Sequence, residues 1–210
     1  LTVFLTSPSL EALDVSKQAD QIKNILRSEI ADFISLSEGL IELNLANNRL
    51  GDDGLAEILT AIEYNYSIRI LNLGGNRITT RGAEKLKSTF TYNATLKDLN
   101  LELNNLRQVG IEIICDMLRL NRSIIAVNLG FNNMDYAALK VVCEFLLKDS
   151  ALESICLAGN CFGKLGVVEI NKVLAKNQSL KSLDLRWNYL EPDGCVDLCQ
   201  GLAKSDVIQD

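Results

Sequence analysis

Hydrophobic positions recur along this chain with a fixed spacing of 28 residues from position 40 onward. Six copies of the pattern LxxLxLxxN, each followed by one residue and another apolar position, begin at Leu40, Ile68, Leu96, Ile124, Leu152 and Leu180. Within each copy apolar residues alternate over a few positions, which predicts a short strand with one buried face. A period of this length is typical of a solenoid, in which each unit buries its apolar face against its neighbours.

The second half of each repeat has the spacing of an amphipathic helix. Leu55, Ile58 and Ile62 recur at intervals of three and four residues, and the equivalent positions of the other repeats are also apolar. Directly before this stripe the chain has only small residues: Gly54, Gly82, Gly110, Ala138, Gly166 and Gly194. Such a column predicts a close approach of the helix to the strand layer, where a larger side chain would not fit.

An asparagine follows each predicted strand, at Asn48, Asn76, Asn104, Asn132, Asn160 and Asn188. An asparagine side chain has donors and acceptors that can satisfy backbone groups in an adjacent turn. We therefore expect these six residues to form a structural ladder along the repeats. Their repetition argues against a catalytic role, because a reaction needs one site rather than six equal copies.

The repeats organise the chain as one domain over residues 1–210. A degenerate repeat at 10–39 has Gln18 in place of the asparagine, and six regular repeats occupy 40–207. Residues 1–9 match the end of a preceding repeat, and 208–210 match the start of a further one. We therefore expect the chain to be a fragment of a longer protein.

The pattern LxxLxLxxNx[LIM], followed by an amphipathic helix, resembles the ribonuclease-inhibitor-like class of leucine-rich repeats. The linker N-x-[ST]-[LI], as in Asn65-Tyr66-Ser67-Ile68, supports this resemblance over residues 10–210. The class implies an α/β horseshoe, with parallel strands on the concave face and α-helices on the convex face. Its members include inhibitors, cytosolic immune sensors, GTPase activators, actin-regulating proteins and ciliary scaffolds, so it implies a fold and a binding role rather than one activity.

Composition adds expectations about partners. The net charge of −6 argues against nucleic acid and favours a basic protein partner. No apolar run reaches the roughly 18 residues that a membrane helix needs, so we expect no membrane contact. The chain has no histidine for acid–base work and no nucleophile in a recognisable setting. We therefore expect no enzyme activity, no cofactor and no small-molecule substrate.

Six cysteines raise the alternatives of disulfides and a metal site. Cys115, Cys143 and Cys199 share one helix position, where neighbouring helices lie ~8–10 Å apart, beyond the ~7 Å limit between the Cα atoms of a disulfide. Cys195 and Cys199 lie one helical turn apart, with no second pair or histidine to complete a zinc site. We therefore expect reduced cysteines, no bound metal and a reducing, cytoplasmic compartment, with the cytoskeleton or cilium as the setting that the resemblance suggests.

Four sequons would mark glycosylation in a secreted protein: Asn65, Asn93, Asn121 and Asn177. All four occupy the same repeat position, just before the strand. The favoured interpretation is a turn that selects asparagine followed by serine or threonine.

The column directly before the repeat asparagine is the candidate for partner binding. Its large apolar members are Leu103, Phe131 and Trp187, with glycine at Gly75 and Gly159. Because strands stack ~4.8 Å apart, we expect Leu103 to contact Phe131, and Trp187 to lie about 10 Å from Phe131 across Gly159. Exposed apolar and aromatic side chains often mark contact sites. The predicted partner-binding residues on the concave face and its rim are Leu103, Phe131, Trp187, Tyr189, Arg186, Glu102, Asp98 and Asp184.

Three functions stay open at this level. The favoured one is a non-catalytic scaffold that binds a protein partner on its concave face, within a cytoskeletal, ciliary or signalling assembly. A GTPase activator resembling the Ran activator would need an arginine on the turns above the strands, for which Arg49 and Arg77 are available. The ligand-sensing domain of a NOD-like immune receptor would need a nucleotide-binding domain upstream.

Overall fold

Seven short strands alternate with seven helices in the computed structural model, which describes residues 10–18, 27–148, 151–205 and 207–208. The strands are β1 (Ala12–Asp14), β2 (Glu42–Asn44), β3 (Ile70–Asn72), β4 (Asp98–Asn100), β5 (Ala126–Asn128), β6 (Ser154–Cys156) and β7 (Ser182–Asp184). The helices are α1 (Arg27–Leu36), α2 (Gly51–Ile62), α3 (Thr80–Phe90), α4 (Arg107–Leu120), α5 (Tyr136–Leu146), α6 (Gly163–Leu174) and α7 (Glu191–Leu202). The predicted repeat end at 1–9 lies outside the described residues, as do positions 209–210.

The strands form one parallel sheet in chain order. Each pair aligns equivalent residues of adjacent repeats, so Leu43 pairs with Leu71 and Leu71 with Leu99. Successive side chains point to opposite faces; the middle residue of β2 to β6 is buried, and the first and third face away from the core. We name the side formed by these first and third residues the free face. The predicted α/β solenoid is confirmed.

The core lies between the sheet and the helices as one continuous apolar cluster. Leu45 from the strand side and Leu55 and Ile58 from α2 are fully buried, as the helical stripe predicts. In the last repeat, Leu183 and Leu198 are only partly buried, because each repeat is covered by the next and, within the described residues, β7 pairs with β6 alone. Over the described residues, none of the helices has the length and apolar character needed to cross a bilayer.

The small-residue column is closely packed, but against a different neighbour from the one expected. A Cβ atom on Gly82 would lie 2.5 Å from Ile78 Cγ2. A Cβ atom on Gly166 would lie 2.4 Å from Phe162 Cδ2 and 2.6 Å from Leu139 Cδ2. Phe162 and Ile78 precede the helix and Leu139 belongs to the helix before it. The expected contact with the strand layer was therefore wrong, since this column faces the turn and the preceding helix.

The repeat asparagines join each repeat to its neighbours. Asn104 Oδ1 accepts hydrogen bonds from the backbone N–H of Asn76 and of Ile78, at 3.0 and 2.9 Å. Asn104 Nδ2 donates to the carbonyl oxygens of Leu73 and Leu101, at 3.1 and 2.9 Å. Equivalent bonds to adjacent repeats form at Asn48, Asn76, Asn132, Asn160 and Asn188. These side chains therefore satisfy backbone groups that a buried turn would otherwise leave unpaired.

A second row of asparagines, at the opposite ends of the strands, accounts for the sequons. Asn121 Oδ1 accepts hydrogen bonds from the backbone N–H of Ser123 and of Ile124, at 2.8 and 2.9 Å. Its Nδ2 donates to the carbonyl oxygens of Phe90 and Asn93, at 2.6 and 2.8 Å. The same turn forms at the other sequons, Asn65, Asn93 and Asn177. The predicted turn is confirmed, and at Asn65, Asn121 and Asn177 the side-chain nitrogen to which a glycan would attach donates hydrogen bonds to backbone carbonyls.

The six cysteines are free thiols in different surroundings. Cys115 and Cys143 are buried, and desolvation raises the pKa of each thiol to about 12. Both therefore stay protonated at neutral pH and pack as small apolar groups. Cys199 shares their helix position but is exposed, because no helix packs against the outer side of α7 in the described part of the chain.

We predict that Asn104→Ala lowers the free energy of unfolding by about 1–3 kcal/mol, because it leaves buried backbone groups unpaired. Asn105→Ala is the matched control, since the exposed Asn105 side chain bonds only Arg107 in the described residues. Thermal and urea melts of the two variants should separate them clearly. Equal melts would refute a structural ladder.

We also predict six free thiols, with no glycan on any of the four sequons. The measurement is mass spectrometry of protein purified from its own source and alkylated in denaturant without a reductant. Asn121 is the most informative site, because its Nδ2 is buried and donates two hydrogen bonds. A glycan at Asn121 would be incompatible with this fold and would contradict the expected compartment.

Candidate functional site

Short polar side chains form turns at the carboxyl ends of the strands. Asn128 Oδ1 accepts a hydrogen bond from Gly130 N at 2.9 Å, and Asp184 Oδ1 accepts one from Arg186 N at 3.0 Å. The same turn forms at Asp14, Asn44, Asn72 and Asn100. This column of the free face therefore shapes the exit of each strand, and Asp184, predicted only as a binding residue, also belongs to it.

The residue directly before each repeat asparagine has a left-handed backbone. The φ angles are 60° at Asn47, 67° at Gly75, 55° at Leu103, 52° at Phe131, 65° at Gly159 and 57° at Trp187. Glycine adopts this conformation freely and asparagine tolerates it, whereas other side chains lose roughly 1–2 kcal/mol. The fold therefore favours glycine or asparagine in this column, and its three large apolar residues need another explanation.

Phe131 and Trp187 are in contact, in contrast to the expected separation of about 10 Å. Their ring centroids lie 5.6 Å apart, with the ring planes inclined at 48°. A Cβ atom on Gly159 would lie 2.2 Å from Phe131 Cε1, so the phenyl ring covers Gly159 and reaches Trp187. The expectation was wrong because it used only the spacing between strands. Gly159 has no side chain, so the Phe131 ring can extend over it toward Trp187.

An ion pair holds Arg186 beside this aromatic pair. Its Nη2 lies 2.6 Å from Asp184 Oδ2, and its Nε lies 3.0 Å from Asp184 Oδ1. The guanidinium carbon lies 5.2 Å from the Trp187 ring centroid, a distance typical of a cation–π contact. The arginine hydrogen bonds are the largest cause that lowers the pKa of the Asp184 carboxyl. Because Arg186 is exposed, the ion pair orients the guanidinium more than it stabilises the fold.

Cys156 is a member of this site that the sequence interpretation missed. It stands in β6 where asparagine stands in β2 to β5, and that substitution is the signal in the sequence. Its thiol donates to Asp184 Oδ2 at 3.5 Å. Burial raises the pKa of Cys156 to about 11, with a smaller contribution from Asp184. The thiol is therefore protonated at neutral pH and is a weak nucleophile.

The other predicted residues lie around this pair. Glu102 is half-buried and accepts a hydrogen bond from Asn128 Nδ2 at 3.3 Å. Asp98 lies on β4, and burial raises the pKa of its carboxyl. Leu103 and Tyr189 are both exposed, and Tyr189 also has a left-handed backbone, with φ 55°. Phe131, Trp187, Arg186 and Asp184 thus form one described cluster. Glu102, Leu103 and Tyr189 lie on the same edge, whereas Asp98 begins its strand and lies at the opposite end of the free face.

The two arginines considered for GTPase activation lie on the turns of the first two regular repeats. Arg49 and Arg77 are exposed, with φ angles of 52° and 62°. Arg77 lies two repeats and Arg49 three repeats before Phe131. No contact in the described residues links them to it.

The chain resembles leucine-rich-repeat proteins in sequence and fold. A family model described as Leucine Rich repeat matches residues 40–59, 64–87, 92–115 and 176–199. The leucine-rich-repeat protein LegL7 from Legionella pneumophila has a similar structure, with a TM-score of 0.62, 22% identity, and coverage of 92% of this chain and 62% of LegL7. No curated protein matches the chain.

Two further solved structures share the fold. Leiomodin-1 actin-binding site 2 has a TM-score of 0.55 and 20% identity, over 63% of this chain and 78% of its own. The tropomodulin C-terminal domain from Caenorhabditis elegans has a TM-score of 0.52 and 13% identity, over 85% of this chain and 92% of its own. At these identities the likeness shows the fold alone.

We predict that Gly159→Asn displaces the Phe131 ring and separates it from Trp187. Asparagine occurs in the same column at Asn47 with φ 60°, so the backbone tolerates it, but its Cβ would overlap the ring. Trp187 is the one tryptophan of the chain, so the tryptophan fluorescence comes from the ring that contacts Phe131. We expect a red-shifted emission and a weaker near-ultraviolet circular dichroism signal.

The control is Gly75→Asn, in the same column but away from the tryptophan. It should leave the emission of Trp187 unchanged, and both variants should keep the far-ultraviolet spectrum of the wild type. An unchanged emission in Gly159→Asn would show that the ring does not need the space above Gly159.

Proposed function

We propose that the chain is a non-catalytic scaffold that binds a protein partner on the free face and its carboxyl-end edge, and its similarity to leucine-rich-repeat proteins supports this. The binding surface is centred on Leu103, Phe131 and Trp187. Repeat solenoids offer a long ordered surface of this kind and seldom enclose a catalytic pocket. The cysteines near this surface fit that role, since the Cys156 thiol is held protonated.

The observation that carries the proposal is the presence of large apolar residues on a left-handed backbone. Phe131 and Trp187 occupy positions where glycine or asparagine would relieve strain. Trp187 is 65% exposed, so most of its surface contributes nothing to the core. Costly conformations persist mainly where function needs them, and an exposed aromatic pair is a common anchor of protein interfaces.

The charges around the aromatic pair indicate which charged groups a partner would carry. Glu102 lies in the repeat before Phe131, and Arg186 lies beside Trp187 with its charge paired to Asp184. A partner with basic groups opposite Glu102 and an apolar group against Phe131 would match both the carboxylate and the aromatic pair. Such charges raise the association rate and set the salt dependence more than the affinity.

The setting that we propose is a cytoskeletal assembly. One structural neighbour is the actin-binding site 2 of leiomodin-1, and another is a tropomodulin domain. Actin is therefore the first purified probe for this chain. Basic cytoskeletal or signalling proteins follow it if actin does not bind.

We predict that replacing both Phe131 and Trp187 by asparagine abolishes partner binding with little effect on folding. Relief of the left-handed strain offsets the lost ring contact, so the free energy of unfolding should change by no more than about 1 kcal/mol. The truncation of Trp187 alone should weaken binding by about 2 kcal/mol or more if it is a hot spot. Glu102→Gln should mainly change the association rate and its salt dependence.

The measurement compares the proteins captured by wild-type and variant baits, followed by affinity measurements on the purified partner. Tyr64→Ser with Tyr92→Ser is the matched bait, since it removes two exposed aromatics from the other edge of the solenoid. Leu101→Ala, at a fully buried position, is the reference for a destabilised variant. It should lower the free energy of unfolding by about 2–5 kcal/mol. A double asparagine variant that keeps every stable partner would overturn the proposal.

A further inference from the structure

Large apolar and aromatic side chains form an exposed row where helices α1 to α4 end. The row has one residue per repeat, at the same repeat position: Leu36, Tyr64, Tyr92 and Leu120. Their exposed fractions range from 58% at Leu120 to 89% at Tyr92, and Tyr66, beside Tyr64, is 77% exposed. We name these five residues the tyrosine row. Because so much of their surface lies outside the core, the fold does not account for their size.

A groove of about 400 Å³ lies in this row between Tyr92 and Leu120. Two of its lining residues, Lys97 and Arg122, are charged. The others are small or polar: Thr91, Asn93, Ala94, Asn121 and Ser123. The tyrosine row therefore presents large side chains one repeat apart, with a shallow groove between two of them.

The backbone groups beside the row are already paired. The Asn121 side chain donates to the carbonyl oxygens of Phe90 and Asn93 and accepts from Ser123 N. Asn65 forms the same turn two repeats earlier. The backbone hydrogen bonds that a strand-like peptide would need from these turns are therefore taken. In contrast, the hydroxyl groups of the three tyrosines have no hydrogen-bond partner among the described residues.

The charges along the row do not favour a ligand of either sign. The turns at 36–41, 63–69, 91–97 and 119–125 contain six charged residues: Glu38, Glu63, Arg69, Lys97, Arg119 and Arg122. Arg119 is paired with Asp116, and Arg122 already has a partner within the chain. The remaining four are two carboxylates and two cations. A ligand that matches this surface is therefore mainly uncharged, and it binds through its apolar surface and its hydrogen-bond acceptors.

We propose that the tyrosine row binds a proline-rich segment in the polyproline II conformation. That helix has three residues per turn and rises about 3.1 Å per residue, so equivalent prolines recur every ~9.3 Å. Neighbouring helices of a solenoid such as this one lie ~8–10 Å apart. Each turn of the segment can therefore place one proline ring against each large side chain of the row, from Tyr64 through Tyr92 to Leu120.

The hydrogen-bonding groups of the two surfaces also match. The carbonyl groups of a polyproline II helix have no internal partners and can accept from the tyrosine hydroxyls. Proline has no N–H group, so the segment needs no free backbone acceptor on the turns. An α-helix advances about 5.4 Å per turn, and neither one turn nor two falls within the spacing of the row. Grooves lined by aromatic side chains are a recurrent way to bind proline-rich segments.

The test is fluorescence anisotropy of fluorescein-labelled decaproline, titrated with the purified chain at physiological ionic strength. Ten prolines rise about 31 Å, which is long enough to pass Tyr64, Tyr92 and Leu120. We expect saturable binding. A glycine–serine peptide of the same length should bind at least about tenfold more weakly, because it is flexible and has no proline rings to place on the row.

Variants of the row should weaken this binding in a graded way. Tyr64→Ser with Tyr92→Ser should reduce the affinity on the order of tenfold or more, because two aromatic contacts are lost. Tyr92→Phe should reduce it about threefold to fivefold, since the ring stays and one hydrogen bond is lost. Tyr189→Ser is the matched control. It removes a tyrosine that is 76% exposed on the carboxyl-end edge and should leave the affinity unchanged.

This second surface goes beyond the proposed function, and the two can fail separately. Phe131→Asn with Trp187→Asn should bind decaproline as wild type does, because those residues lie at the opposite ends of the strands. Melting curves establish that each variant is folded, which the exposure of Tyr64 and Tyr92 favours.

Three outcomes would overturn the proposal. The first is folded wild-type protein that leaves decaproline unbound. The second is binding that the substitution of Tyr64 and Tyr92 leaves unchanged. The third is equal affinity for the glycine–serine peptide, which would show that the row accepts any extended chain and does not select the polyproline II helix.

Discussion

The hydrogen bonds of the repeat asparagines hold successive repeats in one register, and the other surfaces of the molecule depend on that register. Asn104 accepts from Asn76 N in the preceding repeat and donates to carbonyl oxygens of both repeats. A shift of one residue would leave these buried groups unpaired and would turn the apolar strand positions outward. Each position of the repeat therefore becomes a straight column of side chains.

The features that could be predicted from the sequence are those that recur at the same position of successive repeats. The strand and the helical stripe recur in all six regular repeats and the sequon turn recurs at four positions, so periodicity alone locates Leu71, Ile58 and Asn121 correctly. The contact of Phe131 with Trp187 does not recur. It depends on the absence of a side chain at Gly159 and on the orientation of the Phe131 ring. The spacing between strands predicts neither.

The same limit applies to roles that depend on a neighbour. Asp184 could be predicted as an exposed acidic residue, but its turn with Arg186 N and its pairing with the guanidinium appear only in the folded chain. Cys156 was not recognised because its role comes from Asp184 in the next strand. Periodicity describes what all repeats share, whereas a binding site is made by the positions at which they differ.

Those differences can be costly without endangering the fold. In a solenoid each repeat contacts only its neighbours, so stability is close to a sum of local contributions. A left-handed tryptophan costs roughly 1–2 kcal/mol in its own repeat, while the asparagine bonds and the core of the other repeats are unaffected. The repeats with glycine in this column, at Gly75 and Gly159, have no such cost. The carboxyl-end edge can therefore concentrate strained contact residues in a few repeats, and the regular remainder supplies the stability that holds them in place.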